Sequence, residues 1–87
     1  MAKVMFLKID GSSETVVITC FDEAREMIGG YVQVLFMKEK VMMVDEDAKI
    51  AGKHPNETAT KILLDFGIND WVAGDVIICD RADFEKM

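Results

Sequence analysis

The sequence predicts an α+β domain, a mainly antiparallel sheet of about five strands with two helices in the order ββαββαβ. Three observations carry this. Short runs rich in β-branched and aromatic residues recur, separated by turn residues. Two stretches switch to helical spacing, and each is closed by glycine. The chain has 87 residues, 51% of them hydrophobic, which is enough to fill one core but not two.

Lys3 to Ile9 alternates weakly and reads as the first strand. Asp10-Gly11-Ser12-Ser13 is a turn signal, and Glu14 to Cys20 is its antiparallel partner. From Asp22 to Ile28 the spacing becomes helical, with Ala24, Met27 and Ile28 on one face. Thr19 with Asp22 three residues on suits a capped start, and Gly29-Gly30 ends the helix. Tyr31 to Met37 is the third strand. Lys38-Glu39-Lys40 turns it into Val41 to Val44. Both faces of this hairpin are apolar: Val32, Val34 and Phe36 on one, Tyr31, Leu35 and Met37 on the other.

Asp45 to Asn56 is irregular. Glu57 to Phe66 is the clearest helix, with Ala59, Ile62, Leu63 and Phe66 on one face, Asn56 as N-cap and Gly67 as the stop. Ile68 to Ala73 is a loop with the only tryptophan, Trp71. Gly74-Asp75 leads into a last strand, Val76 to Cys79. The domain is expected over 1–80, with a charged tail over 81–87 that frays or forms a partial helical turn. Two short helices are expected to cover one sheet face only. The other face then calls for a loop, the tail or a second copy, and a homodimer is the expectation.

Charge and composition exclude several classes. Sixteen acidic residues against ten basic ones leave a net charge of −6, which opposes phosphate-backbone binding, so no nucleic acid partner is expected. No apolar run approaches the roughly 18 residues of a membrane span, and no membrane association is expected. The opening run through Ile9 is too short and too alternating for a secretory signal, which points to the cytoplasm. Cys20 and Cys79 each adjoin apolar residues and are expected as buried free thiols. A disulfide between them would need neighbouring strands in an oxidising compartment.

No constellation selects an enzyme. There is one histidine, His54, and the only serines, Ser12 and Ser13, sit in a turn. One histidine and two distant cysteines have no zinc-ligand spacing. Asp45-Glu46-Asp47 lacks the glycine and terminal glutamate of a calcium loop and reads as a solvated acidic turn. Gly29-Gly30 follows a helix, the wrong context for a phosphate loop. Neither a cofactor nor a metal is expected.

Binding is the better expectation. Lys49, Lys53 and His54 precede Asn56, and Thr58, Thr60 and Lys61 follow it, so the start of the second helix could attract an anion. Plain capping by Asn56, with Glu57 supplying the negative charge, is the alternative. Tyr31 and Trp71 combine an apolar body with a polar tip and suit either a binding anchor or the edge of the core.

The run Gly29-Gly30-Tyr31-Val32-Gln33-Val34 resembles a motif of a family of small bacteriophage and mobile-element proteins classed as a domain of unknown function. The resemblance continues through Val44-Asp45-Glu46-Asp47, Pro55-Asn56 with Ala59-Thr60, and Val72-Ala73-Gly74-Asp75-Val76-Ile77, and spans roughly residues 3 to 80. Asp45 stands where the family pattern has asparagine. The resemblance implies a phage accessory protein in the bacterial cytoplasm, a setting in which small proteins often act as stoichiometric binders. The leading expectation is an inhibitor of a host protein, with Asp45, Glu46 and Asp47 beside exposed aromatics. The alternatives are a sponge for an anionic, phosphorylated small molecule at Lys53, His54, Asn56 and Thr60, and an enzyme with an unrecognised site.

Overall fold

In the computed structural model, which describes residues 2–87, the chain forms β1 (Ala2–Leu7), β2 (Ser13–Ile18), α1 (Phe21–Ile28), β3 (Val32–Met37), β4 (Lys40–Asp45), α2 (Glu57–Asp65), β5 (Val76–Asp80) and α3 (Arg81–Glu85). This is the α+β architecture and the ββαββαβ order that the sequence predicts, with one short helix added at the end. Met1, first residue of the domain expected over 1–80, lies outside the described residues.

Both hairpins are made locally. Between β1 and β2 the Asp10 carboxylate accepts from the Ser12 N–H at 2.8 Å, while Gly11 takes a φ of 89°. Between β3 and β4 the loop is Lys38-Glu39, with Met37 paired to Lys40 and Lys38 at a φ of 60°. The final strand joins the two hairpins. The sheet order is β2-β1-β5-β4-β3, antiparallel throughout, and Ile78 lies between Met5 on one side and Met42 on the other. The centre of the sheet is therefore completed by residues from the end of the chain.

Alternation along β1, β4 and β5 sorts the core into two layers. Ala2, Val4, Val41, Met43, Ile77 and Cys79 meet Ala24 and Ile28 of α1 on one face. Leu7, Met42, Val44, Val76 and Ile78 meet Ala59 and Leu63 of α2 on the other. The helices thus lie on opposite faces, which corrects the expectation that they share one. The connections explain it: α1 carries the chain from β2 to β3, the two edges of the sheet, and so crosses one whole face. Phe84 and Met87 of the tail pack on the α1 side. Neither sheet face is left without a helix, so no bare face calls for a second copy.

Three local expectations also change. β2 ends at Ile18, so Cys20 is exposed and occupies the N-cap position of α1, while Cys79 is buried and both thiols are free. Thr19 pairs with Glu23 rather than with Asp22, because the longer glutamate reaches both the Thr19 N–H and its hydroxyl. α2 ends at Asp65, leaving Phe66 as a partly exposed C-cap, so Ala59, Leu63 and the partly buried Ile62 form its packing face. Burial, with Asp83 and Asp80 nearby, pushes the Cys79 thiol up to about 11, which makes it a packing residue at neutral pH.

Leu63 is fully buried beneath α2. Leu63→Ala should lower stability by about 2–5 kcal/mol in urea denaturation, and an unchanged midpoint would contradict this packing.

Candidate functional site

The ends of α1, β1 and β4 and the starts of α2 and β5 meet at one end of the sheet. Asn56 is fully buried there. Its amide nitrogen donates to the Leu7 carbonyl at 3.2 Å and the Gly74 carbonyl at 3.0 Å, and its amide oxygen accepts from Ala59 N–H at 3.0 Å. Its backbone N–H donates to the Val72 carbonyl at 2.9 Å. Thr60 continues the network, its hydroxyl donating to the Asn56 carbonyl at 2.8 Å and accepting from Val72 N–H at 3.2 Å. Both residues were candidates for holding an anion. Here they tie β1, α2 and the approach to β5 together.

Asp45 and Lys53 form the second joint. Lys53 Nζ lies 2.6 Å from Asp45 Oδ2 and donates to the Ile28 carbonyl at 3.3 Å, near the C-terminal end of α1. The other Asp45 oxygen accepts from Asp47 N–H at 2.9 Å. Asp45 is buried rather than solvated, which corrects the reading of Asp45-Glu46-Asp47 as a solvated turn; Glu46 and Asp47 are exposed. Burial alone would raise the Asp45 carboxyl, but hydrogen bonds from Lys53 and Asp47 and the lysine charge outweigh it and hold the group below its ordinary value. A Cβ on Gly30 would come within 2.8 Å of both Asp45 oxygens, so this glycine makes room for the carboxylate. Gly29-Gly30, Asp45, Lys53 and Gly74 thus converge at one corner, beside Asn56.

The remaining candidates are exposed. Tyr31, 70% exposed, borders an open cleft of about 630 Å³ with Asp22, Arg25, Glu26, Gly29 and Gly30. His54 borders a different cleft, with Ile9, Ile28, Lys53, Gly74 and Asp75, that neither cysteine lines. Trp71 is 45% exposed. Its backbone N–H donates to the Asp70 carboxylate at 2.8 Å. Lys49 pairs with the same carboxylate at 3.1 Å and lies 4.4 Å from the indole centroid. The Lys49 ammonium and the Trp71 N–H hold the Asp70 carboxyl below its usual range. Asp70 was not among the sequence candidates, although an acid directly before a lone tryptophan in a loop is a readable signal for a side chain bonding the next backbone N–H.

Two clefts flank Trp71. One, about 480 Å³ and largely apolar, is lined by Pro55, Glu57, Thr60, Lys61 and Trp71. The other, about 80 Å³, runs past Gln33, Glu46, Lys49 and Asp70. Among the described residues, no group of three His, Cys, Asp or Glu side chains is placed to hold a metal ion. Compared with known proteins, the chain matches no family model, no curated protein and no solved structure.

Replacing Asn56 with alanine removes the cap and the donors to two buried carbonyls. Asn56→Ala should cost about 2–4 kcal/mol in chemical denaturation. Asn56→Asp, which keeps the acceptor but loses both donors, should fail to restore that stability at neutral pH. For Asp45 the folded-state pKa lies below the unfolded one, so its contribution is present above about pH 4 and is lost as pH falls through the folded value. Asp45→Asn should therefore lie below the wild type in stability at neutral pH, with the gap closing in acid. A gap independent of pH between neutrality and pH 2 would contradict the pairing.

Proposed function

We propose that the protein works without catalysis, by binding another protein through the surface around Trp71. The observation that carries this reading is a half-exposed tryptophan held by Asp70 and Lys49 beside an apolar cleft of about 480 Å³. A tryptophan, with two rotatable bonds, loses little conformational freedom on binding, and such residues dominate interface energetics. Glu46 and Glu57 place exposed carboxylates on the two clefts beside Trp71, which Lys49 and Lys61 also border. A partner that presents an apolar side chain flanked by basic groups fits it best. The resemblance to phage proteins supplies the setting: an inhibitor of a host protein in the bacterial cytoplasm.

The anion-sponge alternative draws less support. Of the four residues expected to hold a phosphate at the start of α2, the Asn56 amide, the Thr60 hydroxyl and the Lys53 ammonium already serve internal contacts, which leaves His54.

Affinity capture from bacterial host lysate, compared between the wild type and Trp71→Ala, checks the reading. A defined host protein should be retained by the wild type, and Trp71→Ala should weaken its binding by at least about 2 kcal/mol while the thermal melt stays unchanged. Stoichiometric release of a nucleotide on heating the purified protein would overturn the proposal. So would multiple-turnover loss of a substrate that is abolished by His54→Ala or by replacing both cysteines.

A further inference from the structure

The two edges of the sheet differ in how they meet solvent. β2 begins Ser13-Glu14-Thr15, polar and charged, as exposed edges usually are. β3 is Val32-Gln33-Val34-Leu35-Phe36-Met37, with no charge and no proline. Hairpin geometry fixes which of its backbone groups are free. With Met37 and Lys40 flanking the two-residue loop, Met37, Leu35 and Gln33 exchange hydrogen bonds with β4, and Val32, Val34 and Phe36 direct their N–H and C=O groups outward. Among the described residues these outward groups have no partner within the chain. Their side chains are also incompletely covered, with Val32 and Val34 partly buried and Phe36 53% exposed.

We propose that β3 is a self-association edge, on which a second copy of this chain adds its own β3 antiparallel about a two-fold axis. The register that uses all three outward-facing residues sets Val34 opposite Val34 and Val32 opposite Phe36, with up to about six inter-strand hydrogen bonds. Val32 and Val34 pack on the α1 face and Phe36 meets Phe84 and Arg81 there, so Phe36 of each copy gains an apolar neighbour in Val32 of the other. Charge favours a second copy over an unrelated strand. The same register brings Lys38 of one copy towards Gly30 of the other, at the rim of the cleft that Asp22, Arg25, Glu26 and Tyr31 line, where the Asp22–Arg25 pair leaves Glu26 as the unmatched charge. Within the chain neither Lys38 nor Glu26 has an ion-pair partner among the described residues, and the two-fold axis would bring them together in two equivalent pairs. This edge is separate from the Trp71 surface, and the inference does not depend on the proposed function.

Sedimentation or light scattering over a dilution series from hundreds of micromolar tests the inference. The wild type should show twice the single-chain mass of 9.8 kDa and dissociate on dilution. Val34→Pro removes an outward N–H and no bond to β4, and should give the single-chain mass. Lys38→Glu should weaken the dimer about tenfold or more, and adding Glu26→Lys should restore it. Hydrogen exchange keeps the test decisive if Val34→Pro fails to fold: the Val32, Val34 and Phe36 amides of the wild type should be protected only at concentrations where the dimer forms. A single-chain mass throughout, with those amides exchanging freely, would overturn the inference and leave the edge to a strand of another protein. A dimer unchanged in folded Val34→Pro would also overturn it.

Discussion

The side-chain amide of Asn56 bonds to three parts of the chain that arrive separately: the end of β1 through Leu7, the approach to β5 through Gly74, and the first turn of α2 through Ala59. β5 is the last strand in sequence and sits in the middle of the sheet, so its seating determines whether the two hairpins become one structure. Only a side chain with two donors and an acceptor on one rigid plane can bridge two carbonyls and cap a helix together. Serine, threonine or aspartate would satisfy the helix but could not donate to both carbonyls, and buried polar groups that lose a partner are costly. Thr60 and the backbone of Val72 extend the network to the loop that carries Trp71. The presentation of that aromatic therefore depends on the same joint that holds the sheet together.

Asp45 and Lys53 act on the neighbouring side of this end. The lysine reaches the last turn of α1, where carbonyls at the helix C-terminus favour positive charge, and neutralises a carboxylate that would otherwise be costly to bury. Gly30 leaves space for that carboxylate, and the Gly74 backbone lies close under the lysine stem. Charge, chain reversal and close approach are thus settled together at one corner. The corner binds the elements to one another, and its polar groups are occupied in doing so. Chemistry directed outward is left to residues on its margins: Glu46, His54, Trp71 and Tyr31.

With α1 and the tail on one sheet face and α2 on the other, both faces of the central strands are packed, although a groove of about 430 Å³ lined by Met5, Ile62, Phe66 and Ile78 remains beside α2. Two surfaces stand out for a partner, the loop surface around Trp71 and the edge of β3. These are different kinds of surface. The first offers a fixed aromatic and an apolar cleft, which select a side chain. The second offers backbone hydrogen bonds, which select an extended strand.

Periodicity and turn chemistry made much of this legible from the residues. The Tyr31–Val44 hairpin, the cap of α2 at Asn56 and its packing through Ala59 and Leu63 were all readable, because each depends on neighbours within a few positions. The boundaries at Cys20 and Phe66 were not, since a strand or helix ends where its tertiary cover ends. Nor were the burial of Asp45, which needs Lys53 and Gly30 from distant segments, or the donors of Asn56, whose acceptors lie in β1 and beside β5. The placement of the helices on opposite faces came from the path of the chain across the sheet. Local spacing encodes which elements form, but whether a polar group is buried, paired or free to bind depends on partners that only long-range packing brings within reach.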